Sequence, residues 1–342
     1  MTLEVLTDAS LRGLNTFGVE ARARLLVRLR AEHELEAAAR VLAGRRPFVL
    51  GGGSNLLLTR DIDAPVLHLA LRGRQVLRAE DEDPLVEAAA GEPWHRFVMW
   101  TLSRGLFGLE NLSLIPGLVG ASPIQNIGAY GLEMSERFDS LRAWDPDSGE
   151  IRRFFAADCG FGYRDSAFRR PPLAHWVVLS VRFRLSRRPQ PRLEYGELRR
   201  ELAARAVDRP GAREVADAVI AIRRRKLPDP ARIGNAGSFF RNPSIDSARA
   251  ETLRREHPDL PLYPLHDAAA PTAFRIPAAW LIERCGWKGH RQGGAGVHAE
   301  HALVLVNHGD ARGAEILALA LRIQRSVEER FGIALEPEPR IV

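Results

Sequence analysis

Short apolar runs broken by Gly, Pro and Asp fill the chain from about residue 66 to 185, and they limit most strongly what the chain can fold into. Runs of this kind lie at residues 86–90, 141–144 and 176–185. Their length and their bounding turn residues predict strands. One interruption, at residues 94–102, has the apolar spacing of a helix and follows Pro93. The stretch therefore predicts a sheet-rich domain.

Helices are predicted on both sides of that domain. Apolar residues recur at helical spacing in three segments: 32–43, 214–226 and 311–331. Gly44 closes the first helix, Asp310 is the expected N-cap of the last, and Gly332 is its expected C-cap. Together with a length of 342 residues, these segments predict a protein of the α/β or α+β class with two or three domains.

Composition narrows the class of protein. Apolar residues make up 45% and charged residues 27% of the chain, which suffices for a core without disulfides or a structural metal. The two cysteines, Cys159 and Cys285, show no metal-ligand spacing, so no metal site is predicted. The first ten residues lack a secretory pattern, and no apolar run reaches the roughly 18 residues of a membrane span. We expect a soluble, cytoplasmic protein without a membrane partner.

Positive charge is concentrated in one part of the chain. The 49 Lys and Arg residues exceed the 43 Asp and Glu residues by six, and only Lys226 and Lys288 are lysines. Residues 181–232 alone carry a net charge of about +8, counted from the sequence. Such a stretch suits nucleic acid or a small anionic ligand. No helix-turn-helix, zinc or RNA-recognition signature accompanies it, so nucleic acid is the less favoured alternative.

A glycine cluster follows the short predicted strand at residues 47–50. Gly51, Gly52 and Gly53 allow a tight turn whose backbone N–H groups point into one concavity, and Ser54 and Asn55 add side-chain donors. This arrangement suits a pyrophosphate. The sequence matches neither a Rossmann nor a Walker A motif, so a plain glycine turn is the alternative.

An uncharged, Gly-rich stretch occupies residues 114–131. It can line a flat apolar ligand such as an isoalloxazine ring and offer backbone hydrogen bonds to the polar edge of that ligand. A buried loop without a ligand is the alternative.

Two further motifs carry polar groups suited to chemistry. Arg164 lies in the polar segment 162–166, where a surface pair with Asp165 is the ordinary interpretation. A cationic helix end at 224–230 precedes a Gly-rich segment at 234–243, which contains Ser238 and Asn242. This combination favours an anionic ligand, and a solvated charge cluster is the alternative.

In this order, the motifs resemble the UDP-N-acetylenolpyruvoylglucosamine reductases (MurB), flavoenzymes of peptidoglycan precursor synthesis and hence of cell-wall formation. The resemblance extends over nearly the whole chain, at residues 15–19, 51–56, 115–117, 125–131, 162–166, 195–196, 226–230, 237–243 and 335–338. The segments around Tyr195 and Lys226 are similar to the longer form of the family, in which a tyrosine-bearing segment covers the substrate.

The resemblance implies a fold and its cofactors. Residues 1–72 and 73–213 would form a two-part FAD-binding region of the vanillyl-alcohol-oxidase (PCMH) type. Residues 214–342 would form an α/β substrate-binding domain whose C-terminal tail returns to the active site. FAD would bind non-covalently, NADPH would reduce it, and the reduced flavin would transfer hydride to the enolpyruvyl double bond. We expect a monomer, although the sequence leaves the oligomeric state open.

Site residues follow from the same resemblance. Ser238 matches the proton donor, and Arg164 and Glu338 match the pair that stabilises the enol intermediate. Tyr195, Lys226 and Asn242 match residues that hold the uridine diphosphate. The residues that match the FAD-binding positions are Gly51, Gly52, Gly53, Ser54, Asn55, Leu56, Pro116, Gly117, Ser122, Asn126, Gly128 and Ala129.

The residue types fit this chemistry on physical grounds. Hydride addition beside a carboxylate places negative charge on that carboxylate, which a fixed guanidinium and a protonatable carboxyl stabilise. The chain departs from the family pattern at Pro339, Arg241 and His301. The remaining alternative among enzymes is another FAD-dependent oxidase or dehydrogenase acting on a sugar or an alcohol.

Overall fold

The structure is a computed structural model that describes residues 3–265 and 273–342. The first two positions of the N-terminal segment considered above lie outside the described residues. The chain divides into two compact units. The first comprises Met1–Ala9, Arg22–Gly53 and Ile62–Arg225, and the second comprises Ser10–Ala21, Ser54–Asp61 and Lys226–Val342. The three-part division with boundaries at 72 and 213 stays a prediction.

A four-stranded sheet in the first unit leads to the glycine cluster. Its strands lie in the order Glu4–Ser10, Arg22–Leu29, Val66–Leu69 and Phe48–Leu50. The last three strands are parallel, since Arg22–Leu29 and Phe48–Leu50 each pair in parallel with Val66–Leu69. In this register, Leu26 and Phe48 both lie opposite Val66. Residues 51–53 therefore follow the carboxyl end of an edge strand, a position at which α/β folds commonly bind ligands.

The second sheet of the first unit is antiparallel and has five strands. Their order is Ile151–Phe155, Phe138–Trp144, Val177–Arg184, Leu85–Ala89 and Arg74–Val76. Three of these strands confirm those predicted from short apolar runs. One face of the sheet contributes to a large apolar core, in which the rings of Trp94 and Phe97 pack edge-on or tilted against Phe183.

Helices flank these sheets. The α-helices of the first unit are Leu35–Leu42, Trp94–Ser103, Ala156–Cys159, Gly196–Ala204 and Ala212–Lys226. Its 3-10 helices are Glu32–Glu34, Glu110–Leu112, Val119–Ala121, Met134–Arg137 and Ala167–Arg169. The predicted helices at 94–102 and 214–226 are confirmed. The predicted closure at Gly44 is wrong by one residue, because Ala43 takes the left-handed conformation with φ 49° and its N–H bonds to the Ala39 carbonyl.

The second unit contains smaller sheets. One has the strand order Gly234–Ser238, Val304–Asn307, Ala295–Val297 and Arg291–Gln292, and another has the order Ser244–Ile245, Phe274–Arg275 and Tyr263–Pro264. Arg340–Ile341 pairs in parallel with Leu56–Leu57, so the C-terminal tail joins the segment after the glycine cluster. The helices of this unit are Arg12–Leu14 (3-10), Ser247–Glu256, Ala278–Arg284 and Gly313–Phe331. Together the two units confirm the α+β class.

The long helix Gly313–Phe331 starts later than the sequence indicates. Its N-cap is Arg312, whose N–H donates to the Glu315 carboxylate at 2.7 Å, so the predicted cap Asp310 is wrong. The buried Asn307 side chain explains the difference, because its Oδ1 accepts from the N–H groups of Gly309 and Ala311 and holds these residues in a turn. The predicted C-cap Gly332 is confirmed, with φ 62°.

The first residue of this helix has no room for a side chain. A Cβ placed on Gly313 would lie 1.7 Å from the Leu58 carbonyl oxygen, whereas Gly13 has nothing within 4 Å of that position. We expect Gly313→Ala to lower the free energy of unfolding by about 3 kcal/mol, because backbone must move. Thermal denaturation of the flavin-loaded protein measures this effect, with Gly13→Ala as control. Equal melting temperatures of the two variants would contradict the close approach.

Candidate active site

Two segments predicted to bind the cofactor lie against each other in the first unit. A Cβ on Gly52 would lie 3.4 Å from the Gly117 Cα, and one on Gly51 would lie 3.5 Å from the Leu118 side chain. Gly53 and Gly117 have φ values of 59° and 107°, which favour glycine. The glycine cluster and the Gly-rich stretch therefore adjoin and form one surface of half-buried backbone.

Backbone hydrogen bonds hold the Gly-rich stretch in place. The Trp94 N–H donates to the Gly117 carbonyl at 3.0 Å, which fixes the residue after Pro116. A Cβ on Gly120 would lie 2.5 Å from the Ala90 Cβ, so the stretch packs directly on a core residue. The Ser122 hydroxyl donates to the Val119 carbonyl at 2.7 Å and thus shapes the turn. A neutral surface of glycine and backbone amides fits FAD, which needs close backbone approach to its pyrophosphate.

The Asn126 side chain joins this stretch to the loop that carries Arg164. It is 1% exposed, its Nδ2 donates to Glu133 at 2.8 Å and to the Gly162 carbonyl at 3.1 Å, and its Oδ1 accepts from the Ser135 N–H at 3.0 Å. Both amide hydrogens are thus engaged within the protein. If FAD binds here, Asn126 acts on it by shaping the loop.

Arg164 lies directly on this loop. It has φ 54°, and its Nη2 donates to the Gly128 carbonyl at 2.6 Å. A Cβ on Gly128 would lie 2.8 Å from the Arg164 Nη1 and 3.0 Å from the Leu132 carbonyl oxygen, so a side chain here would displace the guanidinium. Gly128–Ala129 pairs with Leu132–Glu133 as a short hairpin. The guanidinium is therefore fixed against a predicted cofactor-binding strand.

Arg223 and Tyr130 are two residues that the sequence analysis did not select. The Arg223 Nε donates to the Leu114 carbonyl at 3.2 Å, and its guanidinium also bonds to the Tyr130 hydroxyl. Burial lowers the pKa of Arg223 and raises the pKa of Tyr130 to about 12. Arg164 is close enough to act on Arg223 electrostatically, so the two cations favour an anion nearby. The sequence contains a signal for a buried Arg223, since this residue lies four positions after the apolar Val219 and hence on the same face of the helix.

Tyr195 begins the helix Gly196–Ala204 and is 47% exposed. Its ring packs edge-on against Tyr130, with a centroid distance of 5.2 Å. The predicted substrate contact Tyr195 is therefore connected, through Tyr130, to Arg223 in the same unit.

In the second unit, Ser238 ends the strand Gly234–Ser238. The pairing with Val304–Asn307 is irregular between Asn235 and Ser238, and Gly237 has φ 72°. The buried Asn235 side chain holds this bulge, because its Oδ1 accepts from the Gly237 N–H at 2.9 Å. A bulge redirects the side chain that follows it, which here is Ser238.

Glu338 lies beside Ser238 in the chain tail. Its N–H donates to the Phe239 carbonyl at 2.8 Å. The Asn55 Nδ2 donates to the Glu338 carbonyl at 3.4 Å, and the Asn55 carbonyl accepts from Arg340 at 3.0 Å. The tail thus runs between the Ser238 strand and the segment Ser54–Leu56. A proline at position 339 is compatible with this pairing, because the backbone N–H groups that bond are those of Glu338 and Arg340 on either side of it.

The predicted diphosphate contacts Lys226 and Asn242 also lie in the second unit. The Asn242 Oδ1 accepts from the Ala278 N–H at 2.9 Å, at the start of the helix Ala278–Arg284. Burial, and then the positive charge of Lys226, lowers the pKa of His301. The His301 Nδ1 accepts from the Leu303 N–H at 3.2 Å, so the neutral ring carries its proton on Nε2.

Two negative findings hold for residues 3–265 and 273–342. They contain no group of three or more His, Cys, Asp or Glu side chains that could hold a metal ion. No helix in these ranges has the length and apolar character to cross a membrane.

Comparisons with known proteins agree with these features. The model of an FAD-binding domain matches residues 23–154, and that of the UDP-N-acetylenolpyruvoylglucosamine reductase C-terminal domain matches residues 229–342. A relative of the latter name from Pseudomonas aeruginosa is 52% identical over 344 residues, covering 100% of both chains. The chain belongs to the UDP-N-acetylenolpyruvoylglucosamine reductase (MurB) family.

Other MurB proteins extend this result. A relative from Paraburkholderia xenovorans is 54% identical, covering 96% of this chain and 95% of its own. The crystal structure of MurB from Thermus caldophilus superposes with a TM-score of 0.67 at 26% identity, covering 100% of this chain and 99% of that one. The predicted MurB fold class, an FAD-binding region of the PCMH type and a substrate-binding C-terminal domain, is confirmed. The individual roles of the site residues stay predictions.

The Asn126 bonds give a test of the predicted cofactor surface. We expect Asn126→Ala to weaken FAD retention by about tenfold, because it leaves the Gly162 carbonyl and the Ser135 N–H without these partners. Flavin absorbance per protein after dilution and ultrafiltration measures the change. Ser135→Ala is the control, since it keeps the backbone N–H that Asn126 accepts. Unchanged retention in Asn126→Ala would show that the loop holds its shape without this amide.

Proposed function

We propose that the protein is an FAD-dependent reductase that uses NADPH to convert UDP-N-acetylenolpyruvoylglucosamine to UDP-N-acetylmuramate, a peptidoglycan precursor. The alignment with the Pseudomonas aeruginosa relative, 52% identical over the full length of both chains, carries this proposal. The FAD-binding domain at residues 23–154 and the glycine surface around Gly52 and Gly117 support the cofactor.

Bound FAD would supply the hydride transfer from NADPH to the enolpyruvyl double bond. The Gly51–Gly53 turn and the stretch from Pro116 to Ala129 would hold this cofactor through backbone groups. Arg164, fixed by its bond to the Gly128 carbonyl, would then face a substrate carboxylate beside the cofactor. A guanidinium held in advance stabilises developing negative charge without reorganisation.

Ser238 would supply the proton to the second carbon. A serine hydroxyl is a weak acid, so it acts only toward a strongly basic centre in a dry site. The bulge at Gly237 fixes the direction of Ser238, and the bond from Glu338 N–H to the Phe239 carbonyl keeps the carboxyl-bearing tail beside it. Glu338 would share with Arg164 the stabilisation of charge on the substrate carboxylate.

Lys226, Asn242 and Tyr195 would hold the uridine diphosphate. The Asn242 Oδ1 is engaged with Ala278, which leaves its amide hydrogens as the groups that can turn to a phosphate. The proposal includes a cytoplasmic location, where NADPH and UDP-sugars are available, and a monomer, which light scattering of the purified protein checks.

The activity can be tested in two half-reactions. We expect the purified protein to be yellow, to lose its flavin absorbance when NADPH is added without oxygen, and to recover that absorbance when UDP-N-acetylenolpyruvoylglucosamine follows. Stopped-flow absorbance and product analysis measure both steps. Colourless protein that takes up no FAD, or reduced flavin that the UDP-sugar fails to reoxidise, would overturn the proposal.

The proposed acid gives a second test. We expect Ser238→Ala to keep flavin reduction by NADPH within about twofold and to slow product formation by about 10²–10⁴-fold, the range of general acid catalysis. Ser244→Ala, at an exposed strand position six residues away, is the control. Near-normal product formation in Ser238→Ala would assign the proton transfer to another group.

A further inference from the structure

Asn111 is a buried amide that links two distant segments of the first unit. It lies in the 3-10 helix Glu110–Leu112 and is 0% exposed. Its Nδ2 donates to the Tyr130 carbonyl at 2.9 Å and to the Arg192 carbonyl at 2.9 Å. Its Oδ1 has no hydrogen-bond partner among the described residues. Both donor hydrogens of the side chain are thus engaged.

The two carbonyls belong to segments with different predicted roles. Tyr130 directly follows Ala129, at the end of the predicted cofactor-binding stretch, and has φ 49°. Arg192 lies three residues before Tyr195, which begins the helix Gly196–Ala204. One neutral NH₂ group, with two hydrogens and no charge, therefore joins the cofactor loop to the chain that carries the predicted substrate contact.

Other contacts support this join at its Tyr195 end. The Tyr195 ring packs on Tyr130 at 5.2 Å, and the Arg199 Nε donates to the Leu193 carbonyl at 2.8 Å. Leu193 and Tyr130 both pack against an apolar cluster that contains Leu198 and Val219. The segment 192–195 is therefore held at its start by the hydrogen bond from Asn111 to the Arg192 carbonyl and at its end by the packing of the Tyr195 ring on Tyr130.

We propose that Asn111 is a positioning residue for UDP-sugar binding and acts through Tyr195. It fixes where residues 192–195 leave the cofactor loop, and thereby where the Tyr195 ring stands. This proposal rests on the proposed function, because the UDP-sugar is the ligand that Tyr195 would contact. Removing the amide frees the Tyr130 and Arg192 carbonyls and lets the segment 192–195 shift, while the glycine surface around Gly52 and Gly117 stays in place.

A double-mutant cycle tests the proposal. We expect Asn111→Ala to raise the KM for the UDP-sugar by about tenfold, with kcat, FAD content and the rate of flavin reduction by NADPH within about twofold of the parent. In a Tyr195→Ala background, Asn111→Ala should change that KM by less than about twofold, since its effect runs through the missing ring. Additive effects on KM would overturn the proposal.

The control uses a neighbour in the same buried segment. Ser113 is 0% exposed and its hydroxyl has no hydrogen-bond partner among the described residues, so Ser113→Ala should leave KM unchanged. Asn111→Ser keeps one donor hydrogen and should raise KM less than Asn111→Ala. If both Asn111 variants lose FAD, the residue is structural and the proposal is wrong. If the parent fails to reduce the UDP-sugar, the proposed function fails first, which the two half-reactions show separately.

Discussion

The contact on which the first unit most depends is the set of hydrogen bonds around the Asn126 amide. It connects the Gly-rich stretch to the Gly162 carbonyl and therefore sets where the next loop starts, two residues before Arg164. Arg164 then returns to the same stretch and donates to the Gly128 carbonyl. A buried amide with both hydrogens engaged is costly to replace, because its own hydrogen bonds and the fixed start of the next loop are lost together. The Asn126 amide thus helps to fix the loop from which the Arg164 guanidinium reaches the Gly128 carbonyl.

In the second unit, a predicted site residue, Glu338, is held mainly by backbone hydrogen bonds. Glu338 lies in a tail that has only one short strand, Arg340–Ile341, yet bonds at its N–H, at its carbonyl and at Arg340 hold it in place. Asn55 accounts for two of these bonds. A residue that the sequence places in a cofactor-binding motif therefore also orients the tail that carries a proposed catalytic carboxyl. The segment Ser54–Leu56 and the end of the chain are distant in sequence, yet hydrogen bonds join them within the second unit.

Much of this could be predicted from the sequence, because periodicity reports burial. The helices at 94–102 and 214–226 and the strands at 86–90, 141–144 and 176–185 confirm this. Predictions of helix caps were less accurate, because tertiary hydrogen bonds compete for the same backbone N–H groups. Asp310 fails as a cap because the Asn307 side chain holds the residues after it in a turn. The hydrogen bonds of Asn111 and Asn126 could not be predicted either, because each side chain joins segments whose contact is not indicated by the local sequence.

The excess positive charge takes on a different meaning in the structure. Within residues 181–232, Arg182, Arg184, Arg188, Arg192, Arg205, Arg213 and Arg225 each lie in an ion pair with a carboxylate. The carboxylates compensate the charge of these arginines, and the exposed pairs among them contribute little to stability. Arg223 differs, because its described partners are a carbonyl and a tyrosine hydroxyl. Both partners are neutral and do not compensate its positive charge. A desolvated cation near Arg164 attracts an anion more strongly than a solvated cluster does, so we expect Arg223 to contribute more to the binding of an anionic ligand than the local net charge does.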